Sequence, residues 1–253
     1  MKCSDWLLWL TACCALATAG CGGLSGDLFE PPSKGPSQAQ EPAAVSQADE
    51  QRLFEAEQAA AAVLRKRRVL VVAEPPDRRV TSVNFQDREV DEEDLRQVAA
   101  LYRIGTVNLA DTKVTDQQLR HLSGLSTLTS LVLGGTPVTD AGMVHLSGLP
   151  ALATLHLVNT KVSDEGLRHI AQIQSLCILD LSGTRVTDEG LQHLRGFSQR
   201  GHLLLSRTEV TDAGLKYLEQ MKGLGRLTIQ GAKVTPEGIN RLKKAIPGLS
   251  VDQ

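Results

Sequence analysis

Two sets of side chains recur every 24 residues and are of types that bind metal ions. Imidazoles are common zinc ligands, and carboxylates are calcium ligands. The imidazoles are His121, His145, His169 and His193, and the carboxylates are Asp116, Asp140, Asp164, Asp188 and Asp212. A zinc site needs several nitrogens at about 2.0–2.1 Å from one ion, whereas neighbouring helices lie about 8–10 Å apart. We therefore predict no metal site, and we expect the histidines to stack along the outer, helical side of a repeat structure.

Stacked imidazoles would nevertheless respond to acid. Protonation below about pH 6 would place like charges in a row and weaken the domain. The hypothesis predicts that changing all four histidines to Gln moves the acid unfolding midpoint.

The aspartates lie where short helices are predicted to begin. Each follows a Val-Thr or Val-Ser pair, as in Val186-Thr187-Asp188. A threonine there can accept a hydrogen bond from the first helical turn, and an aspartate favours the positive end of the helix. Val186 and Leu191 would form a hydrophobic staple around that start. We predict capping for these aspartates, and glycines suit the left-handed position at three helix ends: Gly124, Gly148 and Gly196.

Before each helix the chain alternates in the manner of a strand, as at Leu131 and Leu133. A Leu-x-Leu pattern puts both leucines on one face of the strand, and equivalent strands would stack about 4.8 Å apart in a parallel sheet. The strict 24-residue period is the signature of a solenoid.

The full repeat, L-x-x-L-x-L-x-x-T-x-V-T-D-x-G-L-x-x-L, resembles the leucine-rich repeat, and is most similar to bacterial members that share half of it with the cysteine-containing subclass. The resemblance covers about residues 80–251. It implies an α/β fold: a right-handed β–α horseshoe with a parallel sheet on the concave face and short helices on the convex face. It also implies that a threonine ladder satisfies backbone groups at the inner bend: Thr112, Thr136, Thr160, Thr184 and Thr208. We predict about seven repeats in residues 80–253, with a closing strand within residues 246–251 as a C-terminal cap.

The N-terminus predicts export. Lys2 precedes an uncharged, mostly apolar stretch, residues 6–19, which is too short to span a bilayer but suits a signal peptide. Thr18-Ala19-Gly20-Cys21 resembles the lipobox of bacterial lipoproteins, which implies that residues 1–20 are removed and that Cys21 is lipidated. Two alternatives remain open: cleavage near Ala19 that releases a soluble product, and an uncleaved anchor.

Two segments are predicted between the signal peptide and the repeats. Residues 21–47 are rich in Gly, Pro, Ser and Gln, and predict a disordered tether that begins at the lipidated residue. Residues 48–79 predict an N-terminal cap, with a helix over 48–67, a strand at 69–72 and a turn at 74–77. The basic run at residues 65–68 suits the C-terminal end of that helix.

Composition and motifs argue against catalysis and against nucleic-acid binding. The net charge of −2 gives no broad positive field. Gly134-Gly135 lacks the lysine of a phosphate-binding loop. Cys177 is the single cysteine of the repeats, so no intrachain disulfide framework holds them. We predict a protein that is not an enzyme and has no cofactor.

The concave face is where leucine-rich repeats usually bind, and two rows of variable residues are predicted there. The upstream row is Ser82, Thr106, Ser130, Thr154, Ile178, His202 and Arg226, and the downstream row is Asn84, Asn108, Val132, His156, Asp180, Leu204 and Thr228. The polar candidates for ligand binding are Asn84, Asn108, His156, Asp180, His202 and Arg226. Neither row contains Trp or Tyr, the side chains that anchor many interfaces.

These features predict a non-enzymatic module that binds a protein or another envelope component. We expect a monomer held by a lipid anchor at a bacterial membrane, on the periplasmic side or at the cell surface. The alternative is a structural spacer of the cell envelope without a specific ligand.

Overall fold

One sheet of nine strands is formed by the described residues, 46–75, 79–196 and 201–253 of the computed structural model, which all belong to one unit. The predicted signal peptide, Cys21 and almost all of the predicted tether lie outside these residues. The strands are β1 (Leu70–Glu74), β2 (Arg79–Asn84), β3 (Thr106–Asn108), β4 (Ser130–Val132), β5 (Thr154–His156), β6 (Ile178–Asp180), β7 (Gly201–Leu204), β8 (Leu224–Thr228) and β9 (Ser250–Asp252).

The strands follow one another across the sheet in chain order. β1 pairs with β2 antiparallel, and every later pair is parallel. Residues 24 apart are direct partners, as in Leu131 with Leu155 and Leu155 with Leu179. All three leucines are fully buried. The predicted strand and its register are therefore confirmed. A closing strand is present as β9, but it spans Ser250–Asp252 and not residues 246–249, which form the C-cap of the last helix and a turn.

Short helices alternate with the strands. The α-helices are α1 (Gln47–Lys66), α2 (Glu92–Ala99), α3 (Asp140–Met143), α4 (Asp164–Ile170), α5 (Asp188–Leu191), α6 (Asp212–Leu218) and α7 (Pro236–Ala245), and two 3₁₀ helices span Gln118–Leu122 and Gln192–Gly196. Thr187 caps α5 as predicted, because its Oγ1 accepts from the backbone N–H of Glu189 at 3.3 Å. Val186 and Leu191 are fully buried, as a hydrophobic staple requires.

The prediction of left-handed glycines at the helix ends is wrong for Gly124 and Gly148, since neither has a positive φ. The chain leaves these helices through tight turns in which Leu125 N–H donates to the Leu122 carbonyl and Leu149 N–H to the Leu146 carbonyl, both at 3.1 Å. These i→i+3 bonds continue the helical hand, so no left-handed residue is needed.

The left-handed residue of each repeat lies instead at the bend after the strand. Its φ is between 55° and 74° in seven successive copies: Asp87, Asp111, Gly135, Asn159, Gly183, Arg207 and Gly231. One residue later, in five of these copies, is the threonine ladder. Its buried hydroxyls donate to the carbonyl three residues earlier at 2.6–2.8 Å, as in Thr160 to Leu157. The role that the resemblance implied for these threonines is confirmed.

Four of the repeated aspartates lie in the first turn of a helix, as predicted. The carboxylates of all five, however, accept hydrogen bonds from the next repeat, which corrects the capping part of the prediction. Asp164 Oδ1 accepts from the backbone N–H of Thr187 at 2.8 Å, and its Oδ2 accepts from the Thr187 hydroxyl at 2.6 Å. The same pair of bonds forms from Asp116, Asp140, Asp188 and Asp212 to the Thr or Ser 23 residues later. We call each pair of bonds an aspartate lock. A β-carbon at Gly190 would lie 2.2 Å from Asp164 Oδ1, so the repeated glycine leaves room for the lock.

The helix α1 covers the N-terminal end of the core. Ala60, Ala61 and Leu64 are buried, and Glu57 Oε1 accepts from the backbone N–H of Val80 at 2.6 Å. Arg67 Nε lies 2.6 Å from Asp94 Oδ1 at the end of the helix. The helix and strand of the predicted cap are present, while part of the predicted turn, residues 76–78, lies outside the described residues. Among the helices of the described residues, none combines the length and the apolar character that crossing a bilayer would demand.

Candidate binding surface on the concave face

The strand register places the upstream and downstream rows on either side of a central buried Leu or Val in each strand from β2 to β8. In β5 the buried Leu155 lies between Thr154 and His156, and those two pair with Ile178 and Asp180 of β6. The same register runs from β2 to β9 and adds Ser250 and Asp252 at the end of the two rows. Each row is therefore a ladder of side chains across the sheet, about 4.8 Å from strand to strand.

The N-terminal half of this surface is uncharged. Its amides are partly occupied by the protein itself, because Asn84 Oδ1 accepts from Gln86 N–H at 2.8 Å and Asn108 Oδ1 accepts from Ala110 N–H at 2.9 Å. Such side-chain turns fix the bend that follows the strand. Asn84 and Asn108 thus have a structural role, and their role in binding stays a prediction.

The buried Asp180 pairs with the partly buried His156 in the C-terminal half. His156 Nδ1 lies 3.6 Å from Asp180 Oδ2, and the two side chains are 13% and 6% exposed. Asp180 Oδ1 also accepts from Ser182 N–H at 3.0 Å. Burial opposes ionisation of Asp180, but His156 and the hydroxyl and N–H of Ser182 outweigh it, so the pKa of this carboxyl lies below its ordinary value.

His202 and Arg226 are neighbours in the upstream row. His202 Nε2 lies 3.2 Å from Thr228 Oγ1, and Arg226 Nε donates to Asp252 Oδ2 at 2.7 Å. Burial and then the Arg226 charge lower the pKa of His202, against the opposing effects of Asp252 and Asp180. The hydrogen bond from Arg226 lowers the pKa of Asp252.

Asp252 was missed among the sequence candidates. The 24-residue period would have identified it, because Asp252 follows Thr228 by one period and so continues the downstream row. It was overlooked because the closing strand was predicted to end at Val251.

In the described residues, neither the repeated histidines nor the repeated aspartates form a cluster that could hold a metal ion. In the described part of the chain, no group of three or more His, Cys, Asp and Glu residues could hold an ion. His121 Nε2 lies 3.3 Å from Glu92 Oε1, and His193 Nε2 accepts from Arg168 Nε at 3.4 Å. These two histidines of the outer row therefore contact different partners.

Apolar side chains interrupt the polar groups of the concave face. Val132 is buried, while Ile178 and Leu204 are partly exposed between His156, Asp180 and His202. The surface therefore offers aliphatic contact beside ionisable groups, a combination suited to a polypeptide ligand.

Comparisons with known proteins agree with this architecture. A leucine-rich repeat family model matches residues 124–147 and 172–194. An internalin (inlF) from Listeria monocytogenes is similar in structure, with a TM-score of 0.55 and 17% identity over 68% of this chain and 47% of the internalin. An internalin C2 (inlC2) from the same species has a TM-score of 0.55 and 21% identity over 79% of this chain and 80% of its own. No curated protein sequence matches the chain.

At identities of 17% and 21%, the two internalin structures share the fold with this chain. The family match falls within the strand–helix units of the parallel sheet. These findings support a leucine-rich repeat protein, and its fold is the α/β leucine-rich repeat solenoid.

Proposed function

We propose that this protein is a non-enzymatic module that binds a protein or another component of a bacterial cell envelope through its concave face. The observation that carries the proposal is the contrast within each strand. Leu155 is fully buried and repeats in every neighbouring strand, whereas Thr154 and His156 beside it are only partly buried, and the residues at their positions vary from strand to strand. Leucine-rich repeat folds typically present such a surface to protein partners.

Site-specific photo-cross-linking tests this proposal. A photoreactive amino acid is placed at Thr154 or Leu204 on the concave face, or at Val144, which is 49% exposed on the helical side, as a matched control. We expect the same discrete adduct from both concave positions in intact cells and none from the control. Equal labelling at all three positions would contradict a concave-face site.

A lipid anchor at Cys21 is a second part of the proposal, supported by the lipobox-like segment Thr18-Ala19-Gly20-Cys21. We expect Cys21→Ser to move the full chain from the membrane fraction to the soluble fraction of a bacterial host. Cys14→Ser is the matched control and should stay with the membrane. If the unaltered protein is already soluble, cleavage near Ala19 is the correct alternative.

A structural spacer without a specific ligand is the second candidate. It is favoured by the lack of aromatic side chains in both rows and by the internal hydrogen bonds of Asn84, Asn108 and Asp180. This function predicts scattered, weak cross-links at Thr154 and Leu204 that no competitor displaces.

A further inference from the structure

In the C-terminal half of the concave face, β5–β9, one oxygen of Asp180 and one of Asp252 accept hydrogen bonds from neighbouring groups of the same surface. Asp180 accepts from Ser182 N–H at 3.0 Å and lies 3.6 Å from the ring of His156. Asp252 Oδ2 accepts from Arg226 Nε at 2.7 Å and from the Thr228 hydroxyl at 3.4 Å. Both carboxylates are therefore engaged by donors of the surface itself.

Hydrogen-bond donors are left over at the same place. The Arg226 side chain is 45% exposed, and only its Nε is bonded, so its two Nη groups have no hydrogen-bond partner among the described residues. His202 is its direct neighbour in the upstream row. A protonated imidazole donates from both ring nitrogens, so acid would place a second cationic donor beside the guanidinium.

We propose that the C-terminal half of the concave face, β5–β9, is a docking surface for an acidic segment of a protein partner, and that protonation of His202 strengthens the docking. The inference rests on the proposed function, because it assumes that the concave face binds a partner. Arg226 supplies charge-assisted hydrogen bonds to a carboxylate, and Ile178 and Leu204 supply aliphatic contact next to it.

Protonation of His202 removes the net negative charge of this surface. The groups that face His202 are His156 on β5, Asp180 on β6, Arg226 on β8 and Asp252 on β9. With His202 neutral, one guanidinium and two carboxylates give a formal charge of −1, and protonation of His202 brings this sum to 0. Partner carboxylates with pKa values near 4 stay ionised while a histidine titrates, so protonation of His202 favours the binding of an acidic segment.

Peptide binding to the full chain tests the inference. The probe is a fluorescein-labelled peptide of six Glu-Leu pairs, with six Gln-Leu pairs as the uncharged control, and fluorescence anisotropy is measured at pH 7.5 and 5.5. We expect the Glu-Leu peptide to bind about three- to fivefold more tightly at pH 5.5, the scale of one exposed ion pair. The Gln-Leu peptide should show no such gain.

Variants assign the effect to residues. His202→Gln should remove the pH dependence, and Arg226→Gln should weaken binding at both pH values. His145→Gln, on the helical side, should retain the full pH effect. Circular dichroism at both pH values checks that every variant is folded.

Three results would overturn the inference: no binding of the Glu-Leu peptide at pH 5.5, an equal gain for the Gln-Leu peptide, or a full pH effect in His202→Gln. The two proposals fail separately. Concave-face cross-links together with pH-independent peptide binding would remove this inference alone, whereas the absence of concave-face cross-links would remove the proposed function.

Discussion

A glycine and an aspartate from adjacent repeats form one packing unit. Asp164 is held by both the N–H and the hydroxyl of Thr187, and a β-carbon at Gly190 would lie 2.2 Å from its Oδ1 and 3.0 Å from Leu167 Cδ1. The Asp164 carboxylate could move away from such a β-carbon only by losing its hydrogen bonds to Thr187. The aspartate lock therefore depends on the lack of a side chain at this position.

Gly190→Ala should lower the free energy of unfolding by about 1–3 kcal/mol, because the methyl group would displace the Asp164 carboxylate from Thr187. Urea unfolding measures the effect. Gly148→Ala is the matched control: its β-carbon would meet no atom within 4 Å and its φ is not positive. We expect that control to be neutral or up to about 1 kcal/mol more stable.

A double-mutant cycle separates this mechanism from general strain in the helix. In an Asp164→Ala background the carboxylate is absent, so Gly190→Ala should cost clearly less than it does alone. Equal costs in the two backgrounds would show that the aspartate lock does not set the need for glycine.

At the scale of elements, the strands and their order could be predicted because a 24-residue period appears directly in the chain. The left-handed position of the bend could not, because it is filled by Asp, Asn or Arg in four of the seven copies and by Gly in three. The aspartate locks were also missed, since each joins residues 23 apart and no local capping rule links them. For the candidate site, the sequence predicts the two rows. It does not predict the internal hydrogen bonds of Asn108 and Asp180, because the backbone N–H groups that these side chains bind are positioned by the bend after the strand.

Strands β5–β9 should make stability sensitive to acid in two stages. Burial and Arg226 hold the pKa of His202 below its ordinary value, so the unfolded chain binds more protons below about pH 6.5. That contribution is complete above this pH and is lost as the pH falls through the folded pKa. The lowered pKa values of Asp180 and Asp252 add a second loss that begins below about pH 4.

Urea unfolding between pH 7.5 and pH 3 measures both stages. His202→Gln should remove the first stage and retain the second. The rival explanation is the outer histidine row, and the variant with Gln at positions 121, 145, 169 and 193 tests it. Loss of the first stage in that variant, with its retention in His202→Gln, would assign the acid response to the outer row.

At the scale of the whole molecule, each repeat of a solenoid is supported mainly by its neighbours, so an uncovered end weakens the structure. The helix α1 covers one end through Ala60, Ala61 and Leu64, and Glu57 satisfies the N–H of Val80. The helix α1 is not part of a repeat. It buries the apolar face that the first repeat would otherwise expose, and so adds stability that the repeats alone do not provide.

Leu64→Ala should lower the free energy of unfolding by about 2–5 kcal/mol, because Leu64 is fully buried. The adjacent Val63 is 39% exposed, so Val63→Ala should change it by less than about 0.5 kcal/mol. Thermal unfolding compares the two. Similar Tm values for both variants would show that α1 does not stabilise the end of the core.

The aspartate locks all point the same way along the chain. Within the series, each repeat gives a carboxylate to its C-terminal neighbour and receives one from its N-terminal neighbour. At the first end Thr115 bonds to Gln118 instead, and Pro236 takes the aspartate position in the last helix. If a 24-residue block within this series were duplicated or lost, every Thr or Ser donor would still face an aspartate carboxylate of the preceding repeat. The gene for such a protein can therefore lengthen or shorten by whole repeats, so that the concave face grows or shrinks in steps while the contacts between repeats stay the same.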